Sequence, residues 1–214
     1  MKRKEVTMST FNYARAVNHA MIYEVGGHWS LRTLGTRSGI NLDACGYVND
    51  PDDTGGETKY GISKNNNPDL DIYRLNWVRT KERFFENYWS PGKCDEIENR
   101  IAVLHFDGCV NHGVGQASKF LQRAVGAEDD GVVGPQTIEL VNKADPVGVC
   151  HDICDQREQF YYNIVADNPS QEKYIDGWIR RIDEMRAYTT NAYAVFSLKD
   201  LFNIIVPYLA GEIK

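Results

Sequence analysis

No apolar run in this sequence approaches the ~18 residues that a membrane-spanning helix needs, which excludes an integral helical membrane protein. Excess positive charge is also missing. Lys and Arg number 24 against 30 Asp and Glu, a net charge of −6, with a pI near 5.4. General nucleic-acid binding rests on a basic patch, so no nucleic-acid partner is expected. Cysteine is sparse: five, at 45, 94, 109, 150 and 154, an odd count with no framework spacing. That excludes a disulfide-stapled scaffold and predicts free thiols in a reducing cytoplasm. The basic start, Met1 to Thr7, lacks the apolar core of a signal peptide, because Asn12, Arg15, Asn18 and His19 interrupt the next stretch of chain. No recognisable export route is expected. An internal repeat, a low-complexity tract and a Ser/Pro-rich linker are absent too.

What remains is 214 residues, 42% hydrophobic and 11% aromatic. That is a folded globule of one to two domains, large enough for a real core. Residues 1–10 read as a polar lead. A helix is predicted over 11–24, with Phe11, Ala14, Val17 and Met21, joined by Ala20 and Ile22, on one face. Gly26-Gly27 stops it. Between 25 and 63 lie eight of the eighteen glycines, with short runs at 28–34 and 40–42 that could be hairpin strands and a dense turn signal at 49–56. Helical patterning then persists. Thr80 could cap a helix that ends at Pro91-Gly92. Further helices are predicted over 99–111, 117–125, 135–141, 146–165 and 171–188. The tail, 191–214, carries an amphipathic run of Leu198, Leu201, Phe202, Ile205 and Val206. The fold class is therefore mainly α (α+β), helical with a small Gly-rich β/loop lobe near the N-terminus. A soft boundary falls near 93–100, and the missing linker predicts two lobes that pack together.

Few residues stand out as chemical. Glu24 ends a helix and faces a glycine-rich loop, the position of a carboxyl group that could serve as a general acid. The loop 49–63 carries Asp50, Asp52 and Asp53 around a Pro-fixed turn. It fails the EF-hand spacing, but could present a second carboxylate opposite Glu24, the usual equipment for glycoside hydrolysis. Cys150 and Cys154 lie one helical turn apart without a second ligand pair, so no metal site is expected. His105 and His112 suit core or capping roles, and Arg180-Arg181 a solvated helix face. Trp29, Trp77, Trp89 and Trp178 could stack on sugars, with Trp89 and Trp178 better suited to a core.

These residues carry a resemblance. The run from Gly46-Tyr47-Val48-Asn49-Asp50-Pro51 through Gly55-Gly56-Glu57-Thr58-Lys59-Tyr60-Gly61-Ile62 resembles the glycoside hydrolase family 108 N-acetylmuramidases, which have a lysozyme-like fold. Thr54 stands where the family commonly has proline. Phe106-Asp107 to Val110-Asn111-His112-Gly113 is similar to a second family segment. Leu121 to Gly126, with Asp130 to Thr137, resembles the helical peptidoglycan-binding module usually fused there.

The resemblance, which covers about 11–187, implies a muramidase lobe at 11–98, a helical peptidoglycan-binding-like lobe at 99–190, and the tail outside both. It implies hydrolysis of the β-1,4 bond between N-acetylmuramic acid and N-acetylglucosamine. Glu24 would be the acid and Asp53 the second carboxylate, orienting water or stabilising the oxocarbenium-like state. Thr58 would hold the water, and Tyr60 and Asn111 would bind substrate. The carboxyl separation would set the stereochemistry.

No cofactor and no stable membrane anchor are implied. Peptidoglycan glycan strands are the expected partner of a monomer, with virion proteins a further possibility. A phage endolysin in the host cytoplasm before lysis, or a virion-borne lysozyme, fits. In the family the acid directly precedes Gly-Gly-Tyr, whereas here Ala44-Cys45 precede Gly46-Tyr47. Either an insertion spans about 25–45, or the acid is lost and the chain is a non-catalytic wall-binding or virion protein. A lytic transglycosylase, with one catalytic acid, is the remaining alternative.

Overall fold

The computed structural model describes residues 8–24, 47–49 and 56–190. These residues fall into two compact units, 8–86 and 87–190. The 25–45 segment with its runs at 28–34 and 40–42, the aspartates Asp50, Asp52 and Asp53, and the 191–214 tail lie outside the described residues. No described helix is long and apolar enough to cross a membrane.

The first unit opens with helix α1, Met8–Glu24. Its buried face carries Ala16, Val17, Ala20 and Met21, joined by Asn12 and Arg15. The spacing of 12, 16 and 20 beside 17 and 21 is the helical stripe expected of a core-facing helix. Ala14 is only partly covered, so the face is rotated from the predicted one toward two polar residues.

Two short strands come next, β1 (Thr58–Lys59) and β2 (Ile62–Ser63), paired antiparallel with Thr58 opposite Ser63 and Lys59 opposite Ile62. Val48 extends this ladder through mutual 2.8 Å backbone bonds with Thr58. The loop beyond β2 is tied down by Lys64, whose Nζ donates to the carbonyls of Leu70 (2.5 Å) and Pro68 (3.3 Å). It turns Leu70, Ile72 and Leu75 into the core.

Helix α2, Trp77–Phe84, runs on as a π-helical turn, Phe85–Trp89. Its cap is Asn76, which accepts from the Arg79 amide at 2.9 Å. Thr80, expected as a cap, is instead buried inside the helix, and its hydroxyl donates to the Asn76 carbonyl.

The second unit is helical throughout: α3 (Asn99–His112), α4 (Val114–Ala124), α5 (Pro135–Lys143), α6 (Pro146–Asp167) and α7 (Glu172–Thr190). Local chemistry starts each of three helices. The Glu98 carboxylate accepts from the amides of Arg100 and Ile101. Pro135 and Pro146 open α5 and α6, where their missing N–H costs nothing. Asp145 caps α6 through the Gly148 amide at 2.8 Å. Ile101, Leu104, Phe106, Leu121, Ile182 and Met185 are among its fully or nearly fully buried side chains. Trp89 is completely buried beside Phe106 and donates to Asp95 at 2.6 Å, while Trp178 is half-buried and stacks on Tyr161.

Candidate active site

Glu24 is the last residue of α1, half-buried, and the hairpin packs against it. The closest approach is at Gly61. A methyl group placed there would lie 2.7 Å from Glu24 Oε2 and 3.1 Å from its Cβ, so the carboxyl group rests on the bare backbone of the turn.

The turn itself is two residues long. Tyr60 and Gly61 have φ of 54° and 73°, both positive, as a type I′ turn between twisted strands requires. Glycine is required at 61 twice over, by its φ and by the carboxyl group against it. Gly61→Ala should therefore push Glu24 out of place and strain the turn, cutting the glycan hydrolysis that the sequence resemblance implies at least tenfold while circular dichroism still shows a helical chain. Unchanged turnover in that variant would mean that the Glu24–Gly61 contact has no bearing on catalysis.

Thr58 begins β1, half-buried, with its hydroxyl donating to the Gly56 carbonyl at 3.3 Å. It is held by backbone bonds to Val48 on one side and the β2 pairing on the other. Glu24 and Thr58 thus converge on one hairpin, Glu24 at its turn and Thr58 two residues before that turn. Tyr60 is fully buried, with its ring 5.9 Å from that of Trp77. A ring so covered props the turn from beneath and offers no face to a sugar. The expected contact of Tyr60 with substrate is thus replaced by support of the turn.

Next to the hairpin, the Lys59 side chain is buried and donates to the Tyr73 carbonyl at 3.0 Å. The Tyr47 hydroxyl donates to Glu57 Oε2 at 2.9 Å, which raises the Tyr47 pKa, and its ring meets that of Tyr73 edge-on. Tyr73, 68% exposed, is an aromatic side chain beside the hairpin that no motif singled out.

Asn111 belongs to the second unit. It is exposed near the end of α3, and its Oδ1 accepts from the Tyr161 hydroxyl. Four residues earlier the same helix places Asp107 in a buried ionic cluster. Arg157 Nη2 donates to Asp107 Oδ2 at 2.7 Å, and Arg181 donates to Oδ1 from Nη2 at 2.8 Å and from Nε at 3.1 Å. Arg157 Nε donates to His112 Nε2, which needs that ring neutral. Burial above all, with help from the Arg157 charge, pushes the His112 pKa down to about 3 and keeps it so. Arg181, expected on a solvated face, is buried because Asp107 awaits it inside.

His105 is buried as expected for a core residue, and Cys94, Cys109, Cys150 and Cys154 are buried free thiols. Burial pushes Cys150 up to about 12 and Cys154 up to about 11, the mark of unreactive thiols. Among the described residues, no group of three or more His, Cys, Asp or Glu could hold a metal ion.

Residues 42–113 match the family Glycosyl hydrolase 108. The chain carries a glycosyl hydrolase 108 domain. Residues 116–183 match a second family, Predicted Peptidoglycan domain. A glycosyl hydrolase domain joined to a peptidoglycan domain makes the protein a peptidoglycan hydrolase, a glycoside hydrolase by class. The glycosyl hydrolase 108 match takes in the Tyr47–Ile62 motif and α3, and begins downstream of Glu24. The solved structure of Brucella abortus SagA has the same fold, with a TM-score of 0.60 and 24% identity over 77% of this chain and 97% of that one. This agrees with the mainly helical, lysozyme-like class. No curated protein matches the chain.

Proposed function

We propose that the hydrolase is an N-acetylmuramidase, cleaving the β-1,4 bond between N-acetylmuramic acid and N-acetylglucosamine. Glu24 protonates the leaving oxygen, and Asp53 is the second carboxylate. Thr58 positions the water, and Asn111 contributes to substrate binding. The observation that carries this reading is the Glu24 carboxyl group seated on the Gly61 turn, two residues from the end of the Thr58–Lys59 strand. It favours an insertion between the acid and Gly46 over loss of the acid, because Glu24 meets the motif despite the intervening chain. The enzyme acts as a monomer on glycan strands. Its setting is phage lysis or a virion, with the host cytoplasm as its place before lysis.

Mass spectrometry of a peptidoglycan digest tests the reaction. Reducing N-acetylmuramic acid ends are expected. Anhydro ends would establish a transglycosylase instead, and N-acetylglucosamine ends a glucosaminidase. Asp53→Ala should cut the rate about a hundredfold or more, and Asp52→Ala much less, because Asp53 falls on the family's regular aspartate. Equal losses in two folded variants would remove Asp53 from its role.

A further inference from the structure

The second unit contains an open groove of about 520 Å³ between α4 and α6. Phe120 and Phe160 supply its apolar floor, Arg123 stands on the α4 side, and Asp152, Gln159 and Asn163 succeed one another along α6. Asp152 to Asn163 spans eleven residues, about 16 Å at the helical rise. An extended peptide of about five residues covers that length.

The polar groups also suit a peptide. Gln159 Nε2 donates to Asn163 Oδ1 at 2.9 Å, which fixes both amides. Gln159 Oε1 and Asn163 Nδ2 remain as one acceptor and one donor, the complement of a peptide unit. Asp155 is engaged by Arg186 at 2.6 Å, and Arg123 by Asp129. Asp152 is exposed and makes no ion pair among the described residues. The groove therefore ends in an unneutralised carboxylate beside an apolar floor. That is a place for an ammonium group on an aliphatic stem. A neutral sugar chain has no charge to meet it.

We propose that this groove binds the peptide stem of peptidoglycan, its side-chain ammonium on Asp152 and a backbone peptide unit on Gln159 and Asn163. The proposal rests on peptidoglycan being the substrate. It adds a second point of attachment, to the stem rather than to the glycan, on the helical unit. Small side chains such as alanine would lie over Phe160.

Calorimetric titration of the full chain with the tetrapeptide L-Ala-γ-D-Glu-L-Lys-D-Ala tests it. The tetrapeptide should bind. Acetylating its lysine, or Asp152→Asn, should weaken binding about tenfold, the worth of one charge-assisted hydrogen bond. The two changes together should cost no more than either alone. Asn163→Ala should weaken the plain and acetylated peptides by the same factor. Both substituted side chains are exposed, so the fold should not change. Undiminished affinity in both variants, displacement of the peptide by a peptide-free glycan, or no binding at millimolar peptide would overturn the proposal. Wall digestion by the same preparation separates this from the muramidase reading. Digestion without peptide binding sinks the groove alone, and peptide binding without digestion sinks the muramidase alone.

Discussion

Glu24→Gln should fold normally, still bind wall fragments, and lose wall digestion by roughly a thousandfold, within the range that general acid catalysis supplies. Glutamine keeps the shape of glutamate and its contact with the Gly61 turn, and removes only the transferable proton. The hairpin should hold its register, because Tyr60 and Gly61 set the turn and the Val48–Thr58 bridge closes the ladder independently of the proton. Melting temperature and peptidoglycan pull-down should therefore match the parent while turnover collapses. A rate within tenfold of the parent would place the acid elsewhere. Glu57, half-buried and hydrogen-bonded to Tyr47, would be the next residue to substitute.

Asp107→Asn should have the largest effect on stability. Asp107, Arg157 and Arg181 are all buried, and one carboxylate faces two guanidinium groups. Arg157 Nη1 already has no hydrogen-bond partner among the described residues. His112 is neutral and adds no charge, but it gives none away either. Removing the carboxylate that both guanidinium groups share leaves uncompensated buried charge, at a cost of about 3–5 kcal/mol. For a unit of this size that lowers the melting temperature by on the order of 10 °C or more. The contrast is Arg186→Ala. Its pairs with Asp155 and Glu158 lie nearer solvent, so its loss should cost about 1 kcal/mol or less. Urea denaturation of the three proteins checks both. A cost for Asp107→Asn as small as that for Arg186→Ala would mean that water enters the cluster and replaces the carboxylate.

The helices of the second unit are legible in the sequence because their punctuation is local. Asp145-Pro146, Gly134-Pro135 and Glu98 start helices through groups within three residues of the cap, so cause and effect stand together along the chain. The hairpin at 58–63 is not read in advance, since 49–63 reads as a loop in the sequence, yet the cause is again local. A two-residue turn with Tyr-Gly at its centre dictates the pairing around it. What stays hidden depends on partners far along the chain. Arg181 looks like surface until Asp107, 74 residues away, is placed beside it. Arg15 and Asn12 look like the wet side of α1, yet they are buried. Thr80 looks like a cap because its hydroxyl suits one, but Asn76 sits where the chain leaves its extended conformation and takes the role first. Tyr60 looks like a sugar platform by its chemistry, and only burial against Trp77 shows which of its faces is taken. The need for glycine at 61 has a partial signal in the motif, but the group that requires it lies 37 positions earlier.

That separation has an evolutionary side. The entropy of closing a loop grows with the logarithm of its length, so doubling the chain between α1 and the hairpin costs only about 0.6 kcal/mol. That is small beside the several kcal/mol by which domains are stable. Drift, duplication or a protein engineer could lengthen, shorten or replace the 25–45 stretch, or graft a new recognition loop there. Glu24 would stay docked on its turn throughout. What holds Glu24 in place is a two-residue bend, and selection there need hold fast to little more than one missing side chain.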